Sequence, residues 1–172
     1  MNAEMEKKMK IAFLMLAHKS PNQINMLLEC LNDNDIDVYI HIDKKSNIKR
    51  DITNFSNNIY VNDNDRIDIK WGSVSMVQAT INLIKAMIES NKTYDYVCLI
   101  SGQDFLIKDI EDLKDFLHTN YGNNYIEILN KENANYYKYK KRVDLYYPQW
   151  MISKNKFIIL LKFAFFKNFV AF

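Results

Sequence analysis

Glycine is scarce in this 172-residue chain: only Gly72, Gly102 and Gly122 occur, and they lie far apart. A G-x-G-x-x-G dinucleotide turn and a Walker A loop both need clustered glycines, because main chain must approach phosphate closely. Both are excluded. Cysteine is scarce as well. Cys30 and Cys98 make neither a C-x-x-C pair nor a disulfide framework, and beside eight methionines they fit a reducing compartment. The expected location is therefore cytoplasmic. No apolar run reaches the roughly 20 residues that cross a bilayer. Phe157–Phe172 is interrupted by Lys162 and Lys167, and Ile11–Ala17 is short and lacks the small-residue cleavage site of a signal peptide. There is no G-x-S-x-G elbow and no visible Ser-His-Asp nucleophile arrangement.

What is present suits one globular domain. Apolar residues make up 48% and charged residues 26%, values that argue against disorder, and the length supports a single core. Net charge is +2 but uneven: residues 136–172 carry eight Lys/Arg against Asp144 alone, and 12 of the 23 aromatic residues. Such a segment offers a surface to anions or lipid headgroups, which would make the chain peripheral at a membrane. Equally, it reads as a Lys-rich amphipathic helix that packs on a second half or a second copy. Three parts follow: a polar, frayed N-terminus over residues 1–9, an α/β domain over 10–149, and a basic apolar helix over 150–172.

Ile11–Ala17 is a continuous apolar run of strand length, as expected of a strand covered on both faces. Ser20 as N-cap and Pro21 at the first helical position open a helix whose Ile24, Leu27, Leu28 and Leu31 recur at helical spacing. Ile36–Asp43 alternates strictly, a strand pattern. Ile59–Val61 and Ile67–Ile69 are short strand candidates. A second helix over Ser73–Ser90 presents Val77, Ile81, Ile84 and Ile88 as its apolar face. Tyr96–Ile100 is a further strand, Ile110–His118 a helix and Tyr125–Leu129 a strand. Strands alternating with helices predict an α/β fold with a mostly parallel sheet flanked by helices.

Three of these strands end in polar clusters: His18-Lys19-Ser20, then His41 and Asp43 followed by Lys44 and Lys45, then Ser101-Gly102-Gln103-Asp104. In open parallel sheets ligands bind outside the carboxyl ends of strands. Asp43 can accept from an N–H of a base or from a sugar hydroxyl, and the adjacent lysines can face phosphate. Trp71-Gly72 stands directly before a helix N-terminus, where exposed N–H groups favour an anion, although Trp71 could equally pack in the core. Asp33-Asn34-Asp35 and Asp63-Asn64-Asp65 resemble metal-chelating Asp-X-Asp pairs. Turn chemistry explains both more simply. His18 and His41 lack the third ligand that zinc would need.

Four segments together resemble one family: Ile11–Lys19, Ile40–Ser46, Trp71–Ala79 and Tyr94–Ile107. In order and spacing they are similar to the core-2/I-branching β-1,6-N-acetylglucosaminyltransferases and peptide O-xylosyltransferases, glycosyltransferase family 14. The resemblance covers about residues 10–145 and corresponds to the family's N-terminal half, so the chain reads as truncated. It implies a GT-A-like, Rossmann-like fold, a UDP-sugar donor and inverting transfer to a glycan or peptide hydroxyl. No cofactor, no metal and no nucleic-acid partner are implied. Ala17, His18, Asp43, Lys44, Trp71, Gly72 and Asp104 would line the donor site, and Glu127, Lys138 and Arg142 the acceptor site. The family's catalytic base lies beyond the resemblance, which leaves Asp104 and Glu127 as the carboxylates to consider. A catalytically inactive nucleotide- or glycan-binding or assembly module is the alternative.

Overall fold

The computed structural model describes residues 8–127 and Lys140. The chain divides into two compact units, Met1–Gly122 and Asn123–Phe172. The first unit carries β1 (Ile11–Ala17), α1 (Pro21–Cys30), β2 (Ile36–Ile42), β3 (Asn58–Tyr60), α2 (Val74–Glu89), β4 (Tyr96–Ser101) and α3 (Ile110–Thr119). Two short 3₁₀ turns, Ile48–Asp51 and Asp63–Asp65, interrupt the loops around β3. In the second unit the described residues 123–127 and Lys140 are exposed.

The four strands form one parallel sheet in the order β3-β2-β1-β4. β1 therefore lies inside the sheet, which is why it reads as an unbroken apolar run. Its Ile11, Ala12, Phe13, Leu14 and Met15 are all at most 3% exposed. Burying the four larger of these side chains contributes about 1.5–3 kcal/mol each. The chain leaves β1 for β2 on one side, then crosses back to place β4 on the other. The order reverses between β1 and β4, the kind of switch point where α/β sheets open a crevice.

One face of the sheet packs on α1 and α3. Ile24, Leu27 and Leu28 of α1 and Leu117 of α3 meet Phe13, Met15, Val38 and Ile40 in the larger core cluster. Met9 joins that core ahead of β1. The other face is covered by α2, whose buried residues are Ala79 and Leu83, against Ala12, Leu14 and Tyr39. This corrects the expected apolar face of α2. Val77 is 57% exposed and Ile88 65%, with Ile81 and Ile84 also at the surface. The helix carries two stripes, and the smaller one at 79, 83, 86–87 and 90 fits the sheet. Its rotation is fixed at the far end, where Tyr39 donates from its hydroxyl to Ser90 Oγ at 2.8 Å.

α2 also explains the burial of β2. Alternation left Asp37, Tyr39 and His41 as the polar side of that strand, yet Tyr39 and His41 are fully buried. Each finds a partner: Asp37 accepts from Lys92 and Tyr94, Tyr39 bonds Ser90 and Tyr94, and His41 accepts from a main-chain N–H. Buried polar groups are tolerated where their hydrogen bonds are made.

Ile67–Ile69 forms no strand; it is an extended segment held at the end of β2 by Lys44, whose N–H donates to the Ile67 carbonyl at 3.0 Å. Residues 125–127 of the predicted Tyr125–Leu129 strand have no regular structure. The rest of that strand, residues 1–7 and the predicted helix at 150–172 lie outside the described residues.

Candidate functional site

Adjacent strands bring the three polar clusters to one edge of the sheet. Leu16 of β1 is in register with His41 of β2 and Ser101 of β4. Beyond that level the strand exits remain bonded to one another. The Asp43 N–H donates to the Ala17 carbonyl at 2.8 Å, and the Gly102 N–H to the Leu16 carbonyl at 2.9 Å. Ser46 Oγ donates to the His18 carbonyl at 2.8 Å. His18, Asp43 and Asp104 thus stand on a common carboxyl edge, with Ala17 buried beneath them and His18, Lys44 and Asp104 exposed.

Asp43 is only 6% exposed. Its Oδ1 accepts the Lys45 N–H at 3.0 Å, an Asx-type turn that aims the carboxylate without neutralising it. Lys45 Nζ lies 3.8 Å from the other oxygen and 2.6 Å from Asp68. The Asp68 hydrogen bond does most to hold the Lys45 ammonium above its ordinary pKa.

The segment 66–71 runs beside Asp43 and ends at Trp71. Arg66 pins it: Nε donates to the Ile42 carbonyl at 2.9 Å, and one terminal nitrogen donates to the Asp43 and Ser46 carbonyls, both at 2.8 Å. Trp71 is 87% exposed, so the core reading of this residue is wrong. Gly72 follows at φ +73°, a left-handed turn that a side chain would strain, and Ser73 then caps α2 by accepting the Ser75 N–H at 3.2 Å.

At β4, Asp104 folds back. Its Oδ2 accepts the Ser101 N–H at 2.8 Å, which leaves the second oxygen outside that bond. Gln23 of α1 steadies the same loop, donating from Nε2 to the Gln103 carbonyl at 2.6 Å. Gly102 is required by close approach: a Cβ there would lie 3.0 Å from Ile24 Cγ1. The Phe105 and Ile107 side chains that follow are exposed.

Arg66 and Gln23 were not legible as site residues. Both act on main-chain carbonyls, and nothing in their neighbours' identities signals that. Glu127 belongs to the second unit and is exposed, and Lys138 and Arg142 lie outside the described residues.

The Asp-X-Asp look-alikes are engaged otherwise. Asp33 sits in the turn before β2, at the opposite edge of the sheet, paired with Lys114 at 2.8 Å. Asp63 pairs with Lys49 at 3.1 Å and Arg66 at 3.4 Å. Among the described residues no group of three or more His, Cys, Asp or Glu could hold a metal ion. No helix among them is long and apolar enough to cross a membrane.

A carboxylate, an exposed indole, a capped helix start and two loops clamped by side chains thus stand along the carboxyl edge of the sheet. The family model described as Core-2/I-Branching enzyme matches residues 11–170. The chain is 28% identical over 130 residues to "Xylosyltransferase oxt" of Drosophila melanogaster, covering 73% of this chain and 15% of that protein. It is 25% identical over 135 residues to "Xylosyltransferase 2" of Rattus norvegicus, 75% of this chain and 16% of the relative. With "Xylosyltransferase sqv-6" of Caenorhabditis elegans it shares 27% over 124 residues, 68% of this chain and 15% of the relative. The chain thus spans about 15% of the length of these curated relatives.

Proposed function

Because the chain belongs to the Core-2/I-Branching enzyme family, a family of glycosyltransferases, we propose that its carboxyl-edge site binds the nucleotide of a UDP-sugar. In this reading the chain supplies the donor-binding part of an inverting transfer to an acceptor hydroxyl on a glycan or peptide. The names of the relatives favour xylose over N-acetylglucosamine as the sugar.

One observation carries the reading: the exits of β1, β2 and β4 are bonded side by side and bring His18, Asp43 and Asp104 to a single edge. Asp43 would accept from the base, Trp71 would offer its exposed face to the ring, and Lys44 and the start of α2 would lie toward the diphosphate. Donor binding without a divalent cation is part of the proposal. It is supported by the ion pairs that occupy both Asp-X-Asp triplets.

An inverting transfer needs a general base for the acceptor hydroxyl and positive charge near the leaving diphosphate. Asp104 is a weak base candidate, since one of its oxygens already caps the end of β4. Glu127, which by resemblance to the family would bind the acceptor, is the other carboxylate to consider.

Isothermal titration of the full chain with UDP, with and without EDTA, tests the reading. One saturable site whose affinity is the same in both buffers is expected. No heat of binding, or binding abolished by the chelator, would count against it.

A further inference from the structure

His41 is fully buried two residues before Asp43, and its Nε2 accepts the Ile67 N–H at 3.0 Å. An accepting Nε2 fixes the neutral imidazole with its proton on Nδ1. That Nδ1 is buried and has no hydrogen-bond partner. Leaving a buried donor unpaired is unfavourable, so the ring is retained at a cost for the bond made at its other nitrogen.

The bond lies in a seam. Arg66 donates to three carbonyls of the β2 exit, Lys44 N–H donates to the Ile67 carbonyl, and Lys45 Nζ donates to the Ile69 carbonyl at 2.7 Å. Each of these groups acts as a donor. His41 alone in the seam is an acceptor that one proton removes, because a charged imidazole has two donors and no lone pair to offer. Trp71 follows four residues after Ile67 and stands between two anchors, this seam and the start of α2, where the Lys70 N–H donates to Ser75 Oγ at 2.8 Å, so the seam is one of the two contacts that place the indole.

We propose that His41 is a positioning residue of the nucleotide site, whose neutral ring holds the 66–71 segment against the β2 exit, so that protonation releases Ile67, displaces Trp71 and lowers affinity for the nucleotide. The nucleotide part rests on the function proposed above. Charge on His41 is governed first by burial, which disfavours it. Contact with its own main chain and the Asp43 carboxylate act in the opposite direction, and the Arg66 guanidinium adds to the effect of burial. The neutral form therefore prevails at pH 7, and the switch falls below the ordinary imidazole value.

The test uses the full chain carrying Trp150→Phe, which leaves Trp71 as the one tryptophan. Its emission is titrated from pH 8 to pH 5 without ligand, with circular dichroism confirming the fold. A one-proton transition is expected with His41 and not with His41→Gln, whose side-chain carbonyl can accept from Ile67 at every pH. UDP affinity is then measured at pH 7.5 and pH 5.5. UDP itself titrates in this range, so His41→Gln supplies the baseline, and the protein with His41 should lose measurably more affinity on acidification than that variant, by less than about tenfold because its switch lies below the ordinary imidazole value. His41→Leu, which has no acceptor, should bind weakly at both pH values. Identical Trp71 titrations in the His41 and Gln proteins, or an equal pH dependence of UDP affinity, would overturn the proposal. If UDP binds to none of the proteins, the nucleotide reading fails, and the Trp71 titration alone decides whether His41 positions the segment.

Discussion

The main-chain N–H of Asp43 donates to the carbonyl of Ala17 at 2.8 Å, so β1 and β2 leave the sheet bonded to each other. The Asp43 carboxylate is thereby fixed over the end of β1 instead of following its own loop. Its Oδ1 is held by the Lys45 N–H. Two substitutions separate these roles. Asp43→Asn keeps an acceptor for Lys45 and should leave stability within about 0.5 kcal/mol. Asp43→Ala removes it and should cost about 1 kcal/mol in urea unfolding. Loss of the negative charge should weaken UDP binding in both, with Ala at least tenfold weaker. Undiminished affinity in Asp43→Ala would remove Asp43 from the site.

Trp71 touches water more than protein. Trp71→Ala should therefore change the midpoint of unfolding little, by less than about 0.5 kcal/mol. If the indole stacks on the base, the same change should weaken UDP binding by about 1–3 kcal/mol, the range for base–aromatic stacking. A large loss of stability with unchanged binding would make Trp71 a structural residue.

Gly102 is a packing requirement that can be relieved from the other side. A Cβ would press on Ile24 Cγ1 at 3.0 Å and Cδ1 at 3.1 Å. Gly102→Ala should destabilise the chain by about 1–3 kcal/mol, the usual cost of overpacking. Ile24→Val removes Cδ1 and should cost less in the Gly102→Ala background than alone, a coupling that a double-mutant cycle in urea measures. Strict additivity would contradict the contact.

The sequence-readable part of this fold is the part governed by hydrophobic period. β1, α1 and β2 follow from the Ile11–Ala17 run, the Pro21 start with Leu27 and Leu28, and the Ile36–Ile42 alternation. Hydropathy alone placed α2 but gave it the wrong buried face, because Ala79 and Leu83 form a weaker stripe than Val77, Ile81, Ile84 and Ile88. The choice between them depends on the Tyr39–Ser90 bond across 51 residues. The convergence of His18, Asp43 and Asp104 was legible because strand ends follow from strands. The clasp of Arg66 was not, since its partners are carbonyls that every residue carries. Ser20 shows the same limit: it stands at the N-cap position, but at φ 57° it makes no side-chain cap bond.

Acid sensitivity should arise in part at the far edge of the sheet. Burial works against the Asp33 charge, but the hydrogen bonds from Lys114 and the Asp35 N–H, with the Lys114 and Lys8 charges, outweigh it and hold the carboxyl below its ordinary pKa. A carboxylate with a lower pKa in the folded state adds stability above its unfolded value of about 3.9, and that stability is lost as pH falls through the folded value. Asp33→Asn should therefore lower stability at pH 6 by about 1 kcal/mol and flatten the decline between about pH 4 and pH 2. UDP affinity should not change, because Asp33 lies at the amino edge. An unchanged acid limb would remove the Asp33–Lys114 pair from the account.

A crystal structure of the chain soaked with UDP puts the carboxyl-edge site to the most direct test. The uracil should lie between Asp43 and Trp71 above the Ala17 carbonyl, with the diphosphate toward Lys44 and the start of α2. Density for UDP at the amino edge beside Asp33 and Asp37, or none beside Asp43 at saturating concentration, would contradict the account.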